Sequence, residues 1–450
     1  MSRDQGQAQH RLSPARVLDL DPLLDDPATR IVVCCGSGGV GKTTTAAALG
    51  LRAAERGRKV VVLTIDPARR LAQSMGIDSL DNTPRRVKGV EGDGGELHAM
   101  MLDMKRTFDE IVEAHADPER AAAILSNPFY QSLSAGFAGT QEYMAMEKLG
   151  QLRARDEWDL IVVDTPPSRS ALDFLDAPKR LGSFLDGKLI RVLLAPAKVG
   201  GRAGMKFLNV GMSMMTGALG KLLGGQLLKD VQTFVAAMDS MFGGFRTRAD
   251  ATYKLLQAPG TAFLVVAAPE RDALREAAYF VERLAAESMP LAGLVLNRVH
   301  GSGAAQLSAE RALAAAENLD LADGPDDTPV DPPAVENLGE PRIVDQDGGK
   351  AGLRNSPDTY GSSEPPATDP GSGSPDADQL TAGLLRLHAE RMHLLSREQR
   401  TRDRFTALHP EVAVAEVAAL PGDVHDLTGL RDIGSRLAAN RPELPETTDV

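Results

Sequence analysis

The chain has 450 residues, 42% of them hydrophobic and 25% charged; this excludes a wholly disordered or fibrous polypeptide and provides mass for about two to three domains. Its net charge of −12 is unevenly spread, because residues 322–376 carry 12 acidic against 3 basic side chains and leave only −3 for the remainder. No clustered positive charge marks a nucleic-acid surface, so no nucleic-acid partner is expected.

Residues 1–29 read as a flexible polar leader without the apolar core of a secretory signal. No run reaches the roughly 18 apolar residues of a membrane-spanning helix, and the expected location is cytoplasmic. The first strand is Ile31-Val32-Val33-Cys34-Cys35. Its two cysteines are the only ones in the chain. Neighbours on a strand point to opposite faces, so they are read as buried, unpaired thiols. With no C-x-x-C pair, no zinc site is expected.

Directly after this strand comes Gly36-Ser37-Gly38-Gly39-Val40-Gly41-Lys42-Thr43, a match to G-x-x-x-x-G-K-[ST]. Glycines let successive N–H groups turn inward around phosphates, Lys42 reaches the outer phosphates, and the Thr43 hydroxyl binds Mg2+. The helix from Thr43 to Arg56, closed by Gly57, adds its N-terminal dipole. ATP and Mg2+ are therefore the expected ligands.

Further apolar runs predict strands at Val60–Leu63, Met100–Leu102, Leu160–Val163, Phe263–Val266, Gly293–Leu296 and Val412–Val417. Unbroken apolar runs suit strands buried on both faces, which predicts an α/β fold with a doubly wound, mostly parallel sheet. Asp66 and Asp164 each follow or end such a strand, where ligands bind in open α/β sheets. Asp164 is read as a Mg2+-shell carboxylate. Asp66 is read as the group that orients an attacking water, or as the N-cap of a helix from Arg69. His98, Trp158 and His300 are read as packing or capping residues.

The expected organisation is one P-loop ATPase domain over 30–321 and 377–440, with a helical subdomain at about 108–155 and 180–255. Residues 322–376, rich in Pro, Asp and Gly, are read as a disordered acidic insert, and 441–450 as a tail. Six methionines between Met205 and Met241 mark an adaptable apolar surface. That surface is either a lid or dimer face packing on itself or a groove for a hydrophobic client.

These motifs, in this order, resemble the arsenite-pump ATPase family, which includes the ATPase that targets tail-anchored membrane proteins. The family patterns are G-K-G-G-V-G-K-T, D-P-A-H-S-L and D-T-A-P-T-G-H-T. They are met here by Gly36 to Thr43, by Asp66-Pro67-Ala68-Arg69-Arg70-Leu71, and by Asp164-Thr165-Pro166-Pro167-Ser168-Arg169-Ser170-Ala171. Glu142 stands in a stretch similar to the family's P-G-x-x-E. By the same resemblance Gly41, Lys42, Thr43 and Thr44 bind phosphates and Mg2+, Asp66 positions the hydrolytic water, and Asn297 contacts the base. The stretch Leu420-Pro421-Gly422-Asp423 resembles the loop that covers the base.

Two departures from the pattern matter. Ser37 replaces the loop lysine that in the family reaches across a dimer to the partner's phosphates, and Arg169-Ser170 replaces Gly-His. A homodimer is thus expected to hydrolyse ATP slowly unless Arg69, Arg169 or another basic residue substitutes, and a heterodimer with a lysine-bearing relative to restore one competent site. Because both thiols share one strand, no arsenite site is expected. The resemblance implies a dimeric ATPase that energises transport or handles a hydrophobic membrane-protein client. The alternatives are a catalytically weak nucleotide-binding partner subunit and a partition-type ATPase.

Overall fold

A computed structural model describes residues 16–66, 70–92, 94–134, 140–166, 247–322 and 377–439. Two compact units are present, Met1–Gly303 with Leu395–Val450, and Ala304–Leu394. The first holds an eight-stranded sheet in the order β3-β4-β2-β5-β1-β6-β7-β8. Its strands are β1 (Ile31–Cys35), β2 (Lys59–Thr64), β3 (Arg85–Arg86), β4 (Glu96–Met101), β5 (Leu160–Asp164), β6 (Thr261–Ala267), β7 (Leu291–Val299) and β8 (Val414–Ala418). Every pairing is parallel except the short edge pair β3–β4. The predicted doubly wound, mostly parallel sheet is the one observed.

Strand periodicity divides the core in two. Ile31, Val33 and Cys35 of β1 join Val61 and Leu63 of β2 on one face, where helices α4 (Met104–His115) and α7 (Thr140–Arg155) supply Ile111, Tyr143 and Leu149. Val32, Cys34, Val60 and Val62 face the other side, against Leu20 and Leu24 of α1 (Leu20–Asp25), Ala46 and Leu49 of α2 (Lys42–Glu55) and Leu430 of the helix Leu427–Ala439. α1 falls within the stretch 1–29 read as a flexible leader, where burial of Leu18, Leu20 and Leu24 instead ties the chain to this core. The adjacent cysteines thus lie in different halves of the core, both fully buried and unpaired, as their spacing predicted. Burial pushes the Cys35 thiol up to about 12, so it stays protonated and inert at neutral pH.

Most strand boundaries differ from the sequence reading, by up to four residues. The third predicted strand begins at Glu96 rather than Met100, because Glu96-Leu97-His98 alternates polar and apolar residues near the sheet edge and so breaks the apolar run. The last begins at Val414, two residues later than expected. Between β4 and β5 lie α4, α5 (Pro118–Leu125), α6 (Pro128–Ser134) and α7. Residues 247–257 are helical as well. The Met-rich stretch, Arg169-Ser170, most of 180–255 and the acidic insert lie outside the described residues.

Helix α8 (Arg271–Ala286) follows β6. The second unit comprises α9 (Ala309–Ala322) and the first part of α10 (Ala377–Leu408), joined by an Arg386–Asp320 ion pair. From Leu395 onward α10 belongs to the first unit, and α11 (Leu427–Ala439) closes the described chain.

Candidate functional site

The site gathers at the carboxyl ends of β1, β2, β5 and β7. β1 lies between β5 and β6, and Cys34 is in register with Asp164. The loop leaving β1 therefore starts beside the Asp164 carboxylate. Gly36 has φ +147°, and a Cβ there would sit 2.1 Å from the Val266 carbonyl oxygen of β6. Gly41 is the left-handed N-cap of α2, and its Cβ would meet Asn297 Nδ2 at 2.2 Å. Only glycine permits both close approaches. Gly38 and Gly39 are exposed and Val40 is buried between them and the helix.

Gly36→Ala is expected to lower stability by about 2–5 kcal/mol, since backbone strain adds to a clash with backbone. Gly39 has φ +76° and open space around it, so Gly39→Ala should cost only about 1–2 kcal/mol. Urea denaturation of the two variants measures the difference.

Lys42 opens α2 and is buried, with Nζ donating to the Ser37 carbonyl at 2.7 Å. Burial holds its ammonium below the usual lysine range, partly offset by Asp164. Thr43 Oγ1 donates to Asp164 Oδ2 at 2.7 Å, and Thr64 Oγ1 donates to the same oxygen at 2.9 Å. The other oxygen, Oδ1, is buried without a partner among the described residues. Burial in this pocket raises the Asp164 carboxyl to about 6, against the hydrogen bonds that favour its ionised form. Asp66 follows β2, half-buried, and its backbone N–H donates to Thr64 Oγ1 at 3.2 Å. Thr64, which the sequence reading passed over, thus connects the two carboxylate-bearing strand ends. Asp66 stands four residues ahead of α3 (Arg70–Ser74).

A cavity of about 460 Å³ opens beyond the head of α2, lined among others by Gly41, Thr44, Asn297, His300, Glu398 and Leu420. β7 shifts register between Leu296 and Val299, with Arg298 at φ 62°. Such a bulge re-aims side chains, and Asn297 Nδ2 here donates to the Val40 carbonyl at 2.8 Å. Asn297 therefore joins β7 to the glycine loop. Pro421 is exposed, while its neighbours Leu420 and Gly422 line the cavity. The side chain of Glu142, in the first turn of α7, lies outside the described residues.

His300, read from the sequence as a packing or capping residue, and Glu398, which the sequence did not single out, also line this cavity. Glu398, nearly buried on α10, accepts from the His300 backbone N–H at 3.2 Å and meets Nδ1 at 2.6 Å. Their separation of 98 residues leaves no local signal. His98 packs edge-on against Trp158 at 4.8 Å, in line with its packing assignment. Ser37 Oγ is buried with no hydrogen-bond partner among the described residues.

The residues present fit a magnesium–triphosphate nucleotide. The glycine loop is packed too closely for a Cβ at Gly36 or Gly41, and the Asp164 oxygen beside Thr43 with no described partner is a carboxylate poised for a cation or its water shell. Among the described residues no group of three or more His, Cys, Asp or Glu side chains stands in metal-holding geometry. A Mg2+ ion here would therefore rest on Thr43, Asp164 and phosphate oxygens.

A family model described as anion-transporting ATPase matches residues 29–316. The chain is 30% identical to ATPase GET3 of Malassezia globosa over 166 residues, covering 37% of this chain and 47% of that relative, about half its length. It is 26% identical to ATPase GET3 of Podospora anserina over 300 residues, covering 65% of this chain and 81% of the relative. ATPase get3 of Botryotinia fuckeliana matches at 26% over 299 residues, covering 65% of this chain and 80% of that protein.

Proposed function

The chain belongs to the anion-transporting ATPase family, and from that premise we propose that it is an Mg2+-dependent, ATP-hydrolysing subunit working as a dimer with a lysine-bearing relative. Its output is to energise transport or to handle a hydrophobic membrane-protein client, from the cytoplasm. No described helix is long and apolar enough to cross a membrane. The observation that carries this reading is the Thr43–Asp164 hydrogen bond at the head of α2, with a second Asp164 oxygen left unpartnered among the described residues.

In this proposal Lys42 exchanges the Ser37 carbonyl for phosphate oxygens, and the N–H groups from Gly38 to Thr44 surround the phosphate chain. Bound Mg2+ supplies charge neutralisation between the outer phosphates. Thr43 and Asp164 hold it, and Asp66 orients the water that attacks. Asn297 and the segment Leu420-Pro421-Gly422 enclose the base.

A second reading, a catalytically weak nucleotide-binding partner subunit, is favoured by Ser37. Its short buried side chain offers no cation to a neighbouring site. Steady-state ATP turnover with Mg2+, against Lys42→Ala as the blank, separates the two. Turnover above the blank supports the ATPase reading. Lys42-dependent binding without turnover supports the partner subunit, and absence of both overturns the nucleotide site.

A further inference from the structure

The cavity beyond α2 contains a histidine whose tautomer is dictated by its surroundings. The Glu398 carboxylate has only acceptor atoms to offer when ionised. One oxygen takes the His300 backbone N–H at 3.2 Å and the other faces Nδ1 at 2.6 Å. The proton of a neutral ring must therefore sit on Nδ1, which leaves Nε2 as a bare acceptor. No described residue hydrogen-bonds Nε2, and the ring lines the same cavity as Asn297, Thr44 and Leu420. Glu398 is nearly buried and holds His300 through two contacts, one to the ring and one to the backbone N–H, so ring and backbone are fixed together.

Resting on the nucleotide reading above, we infer that His300, positioned by Glu398, reads the nucleobase and selects adenine over 6-oxopurines. The exocyclic N6 amine of adenine donates hydrogen bonds, whereas guanine and hypoxanthine present an O6 acceptor at the same place. A fixed acceptor in the pocket satisfies the first and opposes the second. Sites built to accept a hydrogen bond discriminate strongly, because a mismatched base leaves buried polar groups unpaired. Asn297 Nδ2 uses one of its two N–H bonds on the Val40 carbonyl, and an amide nitrogen donates rather than accepts, so it is not the acceptor for the N6 amine. His300 is here a specificity-determining residue, and Glu398 a positioning residue acting through it.

The full-length chain is titrated with ATP, ITP and GTP in the presence of Mg2+, using calorimetry or displacement of a fluorescent nucleotide. ITP differs from adenine nucleotides at the 6-position without adding the 2-amino group of guanine. The wild-type chain is expected to prefer ATP over ITP by about tenfold or more, the worth of one hydrogen bond with its mismatch penalty. His300→Ala removes the acceptor, and the ratio is expected to fall to within about twofold.

Glu398→Gln gives the sharper test. Its carbonyl oxygen is retained by the His300 backbone N–H, so its amide NH2 faces Nδ1. Nδ1 then becomes the acceptor, the proton moves to Nε2, and the ratio is expected to invert toward ITP and GTP. A merely structural Glu398 lowers affinity for all three nucleotides alike and leaves the ratio unmoved. An unchanged ratio in both variants, with Lys42-dependent binding intact, overturns the inference alone. Failure of the wild-type chain to bind any of the three overturns the nucleotide site and this inference with it.

Discussion

Assayed alone, the purified chain is expected to hydrolyse ATP about a thousandfold more slowly than when mixed with a relative that carries lysine at the position of Ser37. A cation delivered to the transferring phosphoryl group from a second subunit stabilises charge that develops only in the transition state, and is worth about 10³ or more in rate. The chain has no such cation at this place. Ser37 ends at a hydroxyl that is buried and unpartnered within its own loop. Lys42 does not substitute for it, since its Nζ is held by the Ser37 carbonyl at 2.7 Å and its position commits it to phosphates bound in cis. The measurement is steady-state turnover of the chain, of the relative, and of their mixture, with Lys42→Ala in this chain as the control. Ser37→Lys tests the same point from the other side by raising the rate of the chain alone. Equal rates for the chain and the mixture would remove the reason for a heterodimer, and the missing lysine would then be no obstacle.

The local part of this site was legible in the sequence because its signals are local. Glycines at 36, 39 and 41, a β-branched strand before them and an alanine-rich helix after them fix the loop within about 20 residues of chain. The structure returns that segment with positive φ at all three glycines. Strand periodicity likewise separated Cys34 from Cys35, and it led Asp164 to be placed at a strand end. Strand order is another matter. Nothing in an apolar run states its neighbours, so only the observed pairing of β5 with β1 explains how Asp164 comes within 2.7 Å of Thr43. The His300–Glu398 pair depends on α10 meeting the end of β7 across 98 residues. Its partners carry no pattern of their own. Thr64 was overlooked for a related reason. A threonine ending a buried strand reads as β-propensity until the carboxylate of another strand is seen beside it.

Between pH 4 and pH 7 the nucleotide-free protein is expected to lose about 2 kcal/mol of stability relative to Asp164→Asn. Burial raises the Asp164 carboxyl from 3.8 to about 6, and every tenfold gain in proton affinity corresponds to about 1.4 kcal/mol. The folded state holds this proton more tightly than the unfolded chain does. Its contribution is therefore fully present below about pH 4 and is lost as pH rises through about 6. Asparagine does not titrate, so the variant lacks this slope, and subtracting the two pH profiles cancels the carboxylates they share. Urea denaturation at both pH values, for both proteins, provides the measurement; parallel profiles would mean that Asp164 is solvated rather than held dry. The same substitution is expected to abolish the gain in ATP affinity that Mg2+ brings, because the amide offers no charge to the cation. At neutral pH the protein thus keeps an ionised carboxylate, held among the described residues only by the Thr43 and Thr64 hydroxyls, buried beside the glycine loop and loses stability by it. A cation-bearing ligand relieves that penalty, so part of the ligand's binding energy is the restored stability of a site held ready for it.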